Sequence, residues 1–539
     1  MKMKRVLALV VVFIMGISFA GCNKTSTSTN ASKSNAERVL RINEDNLGYP
    51  SVYTVSSKGR GYLLTSFIFD TLTWKDEKGV VPLLAKKWSS SSDNKVWTFN
   101  LDKKAKFTDG KPVTAEDVKF SFDYIKAHKY QWVSLNMVKE VKAVDQYTVE
   151  ITLNDVFAPF ITDIAGNVPI MPKHIWEKVT EPEKFNTAEA VIGSGPFKLN
   201  KYDKAAGTYV FEANKDYFLG KPVVDKLVLS GSSNPKEAFL NGELDGGQSL
   251  KYGEAMQIKK DGKYKVIEGP GFWVCRLYFN FNVPEFNIKE FRQALYYGIN
   301  RNEIVEKALK NGGVAGNPGH IHPDSEWYSK DVKQYEFSLN KAKELLDKAG
   351  MKDSNNDGIR EYNGKPLQYE LLTADDKANE CEMLKKYFGD MGIKLEVKSM
   401  DQNTVTSMIK SGQFKLALNG HGSFGGDPVL LAGFAANSKA GSTPSITTQG
   451  GKTWSNAKFD ELFTAQLKEI DSKKRHSEVA ELQNIISDEL PTLTLYYKKI
   501  TYVYNDKVFD GWFFTKDGVS LAVPTIQNKL VYVKGKWKK

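Results

Sequence analysis

Apolar positions change rhythm along the chain, and each change predicts a different element. Arg38-Val-Leu-Arg-Ile42 alternates as a strand does, and Trp97-Thr-Phe-Asn-Leu101 and Tyr147-Thr-Val-Glu-Ile-Thr-Leu153 repeat the period of two. Between them, Thr114-Ala-Glu-Asp117 has capping-box spacing, and Val118, Phe122 and Ile125 follow at helical intervals, which predicts a helix over 115–128. Gly193-Ser-Gly-Pro196 punctuates a return to a strand at Phe197-Lys-Leu. From Glu290 the period lengthens. Phe291, Leu295 and Ile299 share one helical face, and Asn300 caps a run of Ile304, Val305, Ala308 and Leu309 that stops at Asn311-Gly-Gly313. Ser338 opens and Gly350 closes another helix. Leu367–Leu372 and Ile393–Val397 read as strands flanking a helix over Glu380–Phe388, a βαβ-type unit. A long amphipathic helix near 473–488 and strands after Thr492 complete a picture of two α/β lobes, with no internal repeat.

The N-terminus has a different pattern. Lys2, Lys4 and Arg5 precede a twelve-residue apolar run, Val6–Ile17, followed by Phe19-Ala-Gly-Cys22. The run is shorter than the ~18–20 residues a spanning helix needs and has the layout of a secretory signal over 1–21. Phe-Ala-Gly-Cys resembles the lipobox of bacterial lipoproteins, with Phe19 where Leu is usual, and this implies that Cys22 is acylated. Two or three acyl chains at ~0.8 kcal/mol per methylene anchor a protein stably. Asn23–Asn35 is almost entirely Ser, Thr and Asn, so 22–37 is expected to be the lipidated cysteine and a flexible tether.

At 539 residues the chain is long enough for several lobes, and 41% hydrophobic with 26% charged residues is a globular balance. Three of the eleven net positive charges lie in the signal, which leaves +8 without an Arg-rich stripe, so nucleic-acid binding is not expected. Cys22, Cys275 and Cys381 contain no C-x-x-C, and a Cys275–Cys381 bridge is left open.

Enzyme motifs fail on inspection. Gly420-His-Gly-Ser-Phe-Gly425 matches G-x-G-x-x-G, yet no Asp or Glu lies between Pro428 and Phe459 to hold a ribose, so the loop serves either as a plain turn or as a place where backbone approaches another ligand. Neither Ser194 nor Ser423 sits in G-x-S-x-G, so no nucleophile elbow is present. His320-Ile-His322 lacks a third ligand nearby and reads as a solvated loop. Asp353, Asn355 and Asp357-Gly358 open an EF-hand-like loop whose twelfth position is Gly364. A tight Asx-rich turn explains the run, and calcium with Glu361 as a further ligand stays open. No cofactor is expected. Arg276, in the otherwise apolar Phe272–Tyr278, requires an acidic partner from the protein or an anionic group of a ligand.

Ile68-Phe-Asp-Thr-Leu72, Pro82-Leu-Leu-Ala85 with Trp88, Trp97–Leu101 and Phe107-Thr-Asp-Gly110-Lys-Pro-Val-Thr-Ala115-Glu-Asp-Val118 together resemble the family 5 extracellular solute-binding proteins. Gly193–Phe197, Gly220-Lys-Pro222, Gly242-Glu-Leu-Asp245, Arg292-Gln-Ala-Leu295 and Lys341–Leu346 extend the resemblance over nearly all of the chain beyond the tether. It implies a two-lobed periplasmic-binding-protein-like fold (type II, cluster C) of α/β class with an extra β-rich subdomain: lobe I core over 38–60, 190–270 and 500–539, the subdomain over 61–189 and lobe II over 271–499.

The function implied is capture of a solute, an oligopeptide or peptide-like compound, outside the cytoplasmic membrane and its delivery to the permease of an ABC importer, without chemistry on the solute. The chain is expected to be a monomer held to the cell membrane by its lipid. A nickel or other metal chelate, an opine-like solute and a signalling role are the alternatives. Peptide-binding relatives hold the peptide ammonium with an Asp at the position that is Phe424 here, so Asp427 is the substitute if the loop shifts, and His421 is the candidate for a chelate. Gln248, Trp273, Arg276, His421, Phe424, Asp427 and Trp454 are the residues expected to line the cleft.

Overall fold

A computed structural model describes residues 37–56, 59–247, 250–422, 426–435, 454–516 and 528–539. The signal, Cys22, the tether, Gln248 and Phe424 lie outside them.

The alternating run at the start forms the strand Val39–Asn43, near the middle of an eleven-stranded mixed sheet. On one side it is followed by Lys226–Ser230, Thr208–Ala213 and Phe197–Asp203. On the other, the short Gly246–Gly247 leads to Thr492–Tyr504, Lys265–Phe279, Leu416–His421, Gln368–Ala374 and Lys394–Met400. Gly313–Ala315 also pairs with Thr492–Tyr504.

Two strands are unusually long. Lys265–Phe279 has 15 residues and Thr492–Tyr504 has 13, and at ~3.3 Å per residue the first spans about 50 Å. They pair antiparallel from Lys265↔Tyr504 to Tyr278↔Thr492, and the register breaks between Pro270 and Trp273. Pro270 offers no N–H to a ladder, and Phe272 takes a left-handed φ of 42°, a strained conformation for an aromatic residue. A side chain at Gly271 would sit 2.3 Å from the Lys498 carbonyl oxygen, so the bulge depends on glycine.

The break coincides with a division of the core. One hydrophobic cluster runs from Leu40 to Tyr532 but uses none of the residues from Val274 to Tyr497, and a second occupies that stretch. In the first half a four-stranded antiparallel sheet, Ala85–Ser90, Val96–Leu101, Thr148–Leu153 and Val138–Asp145, packs on the helix Ala115–Ala127. Asp117 closes the predicted capping box by accepting the Thr114 N–H at 2.9 Å. Phe99, Phe122 and Val149 of this unit share one continuous cluster with Leu40 and Leu227, so 61–189 buries no separate core.

A charged contact fixes the C-terminal segment to this half. Lys529 and Asp70, both 0% exposed, form an ion pair at 2.5 Å. Ser194 and Tyr217 hydroxyls each donate to Asp70 at 3.1 Å, and the Lys529 ammonium lies 4.3 Å from the Trp74 ring centroid.

The second half is helix-rich, as the longer period predicts, with Lys289–Gly298, Leu339–Lys348, Ala378–Asp390 and Ser472–Glu489. After Asn300 the expected single helix is a short α-turn, Arg301–Glu303, that widens into a π-turn over Ile304–Ala308. Cys275 and Cys381 are buried free thiols that form no bridge, and burial pushes the Cys275 thiol up to about 12. No helix among the described residues is long and apolar enough to cross a membrane.

Candidate functional site

Side chains just past the register break cluster where the two halves of the sheet meet. Trp273 is half-buried and lies against Gly420 of the neighbouring strand. A Cβ at 420 would stand 2.1 Å from its Cη2 and 2.4 Å from the Val274 carbonyl oxygen. The first glycine of the G-x-G-x-x-G run therefore makes room for an indole. Lys498, opposite Trp273 in the ladder, places its ammonium 4.3 Å from the same ring's centroid. Gly420→Ala is expected to displace Trp273 and cost about 1–3 kcal/mol, read as a red-shifted tryptophan emission together with a lowered urea midpoint. An unchanged emission would show that the indole does not need the space.

Arg276 is wholly buried on the same strand. Its partners differ from the acidic one expected. The guanidinium donates to the Tyr278 hydroxyl at 2.8 Å and approaches His421 Nε2 at 2.5 Å, and it stacks over the Tyr278 ring at 4.5 Å. Burial and the Arg276 charge hold His421 well below the usual imidazole range, so the ring is neutral and can accept from Arg276. His421 thus lies at the site but is engaged with a cation.

His320 and His322 are buried, at 0% and 1% exposed, which corrects the expectation of a solvated loop. His320 Nδ1 lies 2.9 Å from Thr494 Oγ1 and its ring meets Phe434 edge-on. His322 packs between Phe272 and Tyr497, its Nδ1 accepts the Asp324 N–H, and burial brings it down to about 4. The rings serve separate contacts and do not converge on one ion.

Asp427 is also committed elsewhere. Its carboxylate takes a bidentate pair from Arg475 at 2.7 and 2.5 Å, with both side chains under a tenth exposed, and accepts the Val429 N–H at 3.0 Å to cap the turn Pro428–Phe434. Gln466 and the Trp327 ring complete the cradle around Arg475. Asp427 has no free charge for a ligand ammonium, a correction to its expected role. Trp454 packs in the second core against Phe459 at 7% exposure, which removes it from the expected lining.

A carboxylate missed in the sequence lies close by. Asp163 belongs to the π-turn Phe160–Ala165 of the first half, and it is near enough to Asp427 and Arg475 of the second to feel both charges. The seam here is direct: Ala158 N–H donates to the Leu467 carbonyl at 2.7 Å and Lys468 pairs with Asp155 at 2.6 Å. Asp163 stays partly open to solvent although protein surrounds it, the situation of a group in a crevice. Burial first, then the Asp427 charge, push its carboxyl up to about 7. A lone acid inside the apolar Phe157–Ala165 is the same signal that singled out Arg276.

The sign of the resulting pH dependence follows from linkage. An unfolded carboxyl titrates near 4, so between about pH 4 and 7 the folded chain holds the extra proton, and stability falls as pH rises through that window. After discounting for solvent screening the loss is of the order of 1–2 kcal/mol. Asp163→Asn should flatten that slope in unfolding measured from pH 4 to 8, and an unchanged slope would place the titration elsewhere.

Together these groups form a half-open aromatic and charged surface at a hinge, with no described nucleophile–base pair. Among known proteins, the chain is 27% identical over 459 residues to the dipeptide-binding protein of Escherichia coli, covering 78% of this chain and 81% of that protein. It is also 27% identical over 375 residues to the nickel-binding periplasmic protein of the same organism, covering 65% and 69%. The oligopeptide-binding protein AppA of Bacillus subtilis, solved with a nonapeptide, superposes with a TM-score of 0.74 at 22% identity, covering 93% of this chain and 99% of that one. Residues 79–442 match the model of the bacterial extracellular solute-binding proteins, family 5 Middle, and the chain belongs to that family.

Proposed function

We propose that the protein is the substrate-binding subunit of an ABC importer, that it captures an oligopeptide or peptide-like solute between its two halves, and that a lipid on Cys22 holds it at the outer face of the cytoplasmic membrane. The two halves act as lobes I and II. The observation that carries the reading is the pair of strands that runs unbroken between two separate cores and slips register at Pro270/Trp273. Such a crossing concentrates backbone adjustment in a few residues while both cores move as rigid bodies, and a solute touching both halves then favours the closed form. Dipeptide- and nonapeptide-binding relatives support the solute class. The solute leaves chemically unchanged.

Thermal unfolding with and without a mixed pool of di- to hexapeptides tests the class. Ligand at 100 times its Kd adds about 2.7 kcal/mol, so a clear upward shift is expected, and none at millimolar peptide would exclude it. Asp427's engagement by Arg475 gives a second reading its footing. Without that carboxylate a peptide ammonium loses an anchor, while His421 at the hinge suits a metal chelate of the kind bound by the nickel-binding relative. In that case nickel–histidine raises the melting temperature where peptides do not, and His421→Ala abolishes the effect.

A further inference from the structure

The loop joining the helix Leu339–Lys348 to the strand Gln368–Ala374 lies away from the hinge, and three carboxylates converge in it. Asp353, Asp357 and Glu361 each bring one oxygen to within 4.8 Å of the others. Glu361 is the member that an EF-hand spacing does not place, and it carries the argument. Its Oε2 accepts the Ser354 N–H at 2.8 Å, but its Oε1 is closed off from solvent and has no hydrogen-bond partner. A carboxylate oxygen shut away from water beside two further carboxylates is costly without a cation.

The basic residue nearest in sequence does not supply that charge. Arg360 turns away, with Nε donating to the Met391 carbonyl and Nη1 to Asp347 and the Met351 carbonyl. The loop backbone is shaped around the acids: Gly358 N–H donates to Asp353 at 3.0 Å and Ile359 N–H to Asp357 at 2.8 Å, with Gly358 at φ 86° where a tight turn requires it. Oxygens bound to one calcium ion at 2.3–2.6 Å lie no more than about 5 Å apart, which this cluster meets. Magnesium at 2.0–2.1 Å would require them to be closer, below about 4.2 Å.

We propose that Asp353, Asp357 and Glu361 bind a calcium ion that staples this loop to the second half of the protein, with Asn355 Oδ1 and the Ile359 carbonyl as the further oxygen donors that the spacing provides. The ion has a structural role and is independent of which solute the hinge takes. It would fix the Lys352–Glu361 bridge and the Leu367 N–H to Arg360 carbonyl bond, the contacts that lead into the strand Gln368–Ala374.

The test uses the purified chain and the metal alone. Terbium should give emission sensitised by Tyr362, next to Glu361, and calcium should displace it. Calcium at 10 mM against EDTA should raise the melting temperature by about 1–3 °C, with magnesium at the same concentration giving less. Asp357 is exposed, so Asp357→Asn should fold normally and lose both signals, and Glu361→Gln should do the same. No calcium shift in the unmodified chain, an equal shift with magnesium, or terbium emission that survives both substitutions would overturn the proposal.

Discussion

Asp427→Ala is expected to destabilise the protein by about 3–5 kcal/mol, because it leaves the Arg475 guanidinium buried without its carboxylate. Part of the loss, about 1 kcal/mol, comes from the cap on Pro428–Phe434, since Val429 N–H then has no acceptor side chain. Asp427→Asn keeps the shape and the cap but removes the charge, and should fall between the two. A carboxylate held in reserve for a ligand ammonium behaves in the opposite way: its loss weakens binding and leaves the unfolding midpoint in place, or raises it. Urea unfolding of the solute-free chain separates the two roles, and a midpoint unchanged by Asp427→Ala would return Asp427 to the list of ligand contacts. A double-mutant cycle with Arg475→Met should give a coupling of a few kcal/mol, because the pair can be lost together at less cost than singly.

Lys529→Ala is the second large effect, again about 3–5 kcal/mol. Lys529 is enclosed by Asp70, the Phe69 carbonyl and the Trp74 ring, and it is the charged contact that holds the C-terminal segment in the first core. Removing it strands Asp70 with two neutral hydroxyls from Ser194 and Tyr217, which do not offset a buried charge. Replacing both partners, as Asp70→Asn with Lys529→Met, should recover much of the loss. If instead the double variant is no more stable than Lys529→Ala, the cost comes from lost packing of the lysine stem rather than from the stranded charge. Unfolding of the three variants in urea distinguishes these outcomes.

Features set by neighbours in sequence were legible in advance, and features set by partners far along the chain were not. The helix Ala115–Ala127 could be read because its cap and its apolar face lie within fourteen residues. Arg276 stood out because a charge in an apolar strand demands partners, but nothing in its neighbourhood told that these would be Tyr278 and a neutral His421. Asp427 looked like a ligand contact by its place in a glycine-rich loop. The residue that consumes its charge comes 48 positions later on the helix Ser472–Glu489. Trp454 and the histidines at 320 and 322 failed for a related reason: an aromatic or imidazole ring packs in a core as readily as in a cleft, and only the neighbours Phe459, Thr494 and Tyr497 decide between them.

The hinge is the claim on which the functional reading depends, and distance measurement across it is the most direct test. Cys275 and Cys381 are buried, so spin labels attached to Val144→Cys, exposed in the first half, and Val397→Cys, exposed in the second, report on the separation of the two halves. With a peptide pool or chelate that raises the melting temperature, pulsed electron–electron resonance should show a broad solute-free distribution collapsing to one narrower and shorter separation. A distribution identical with and without saturating solute would contradict closure about Pro270/Trp273.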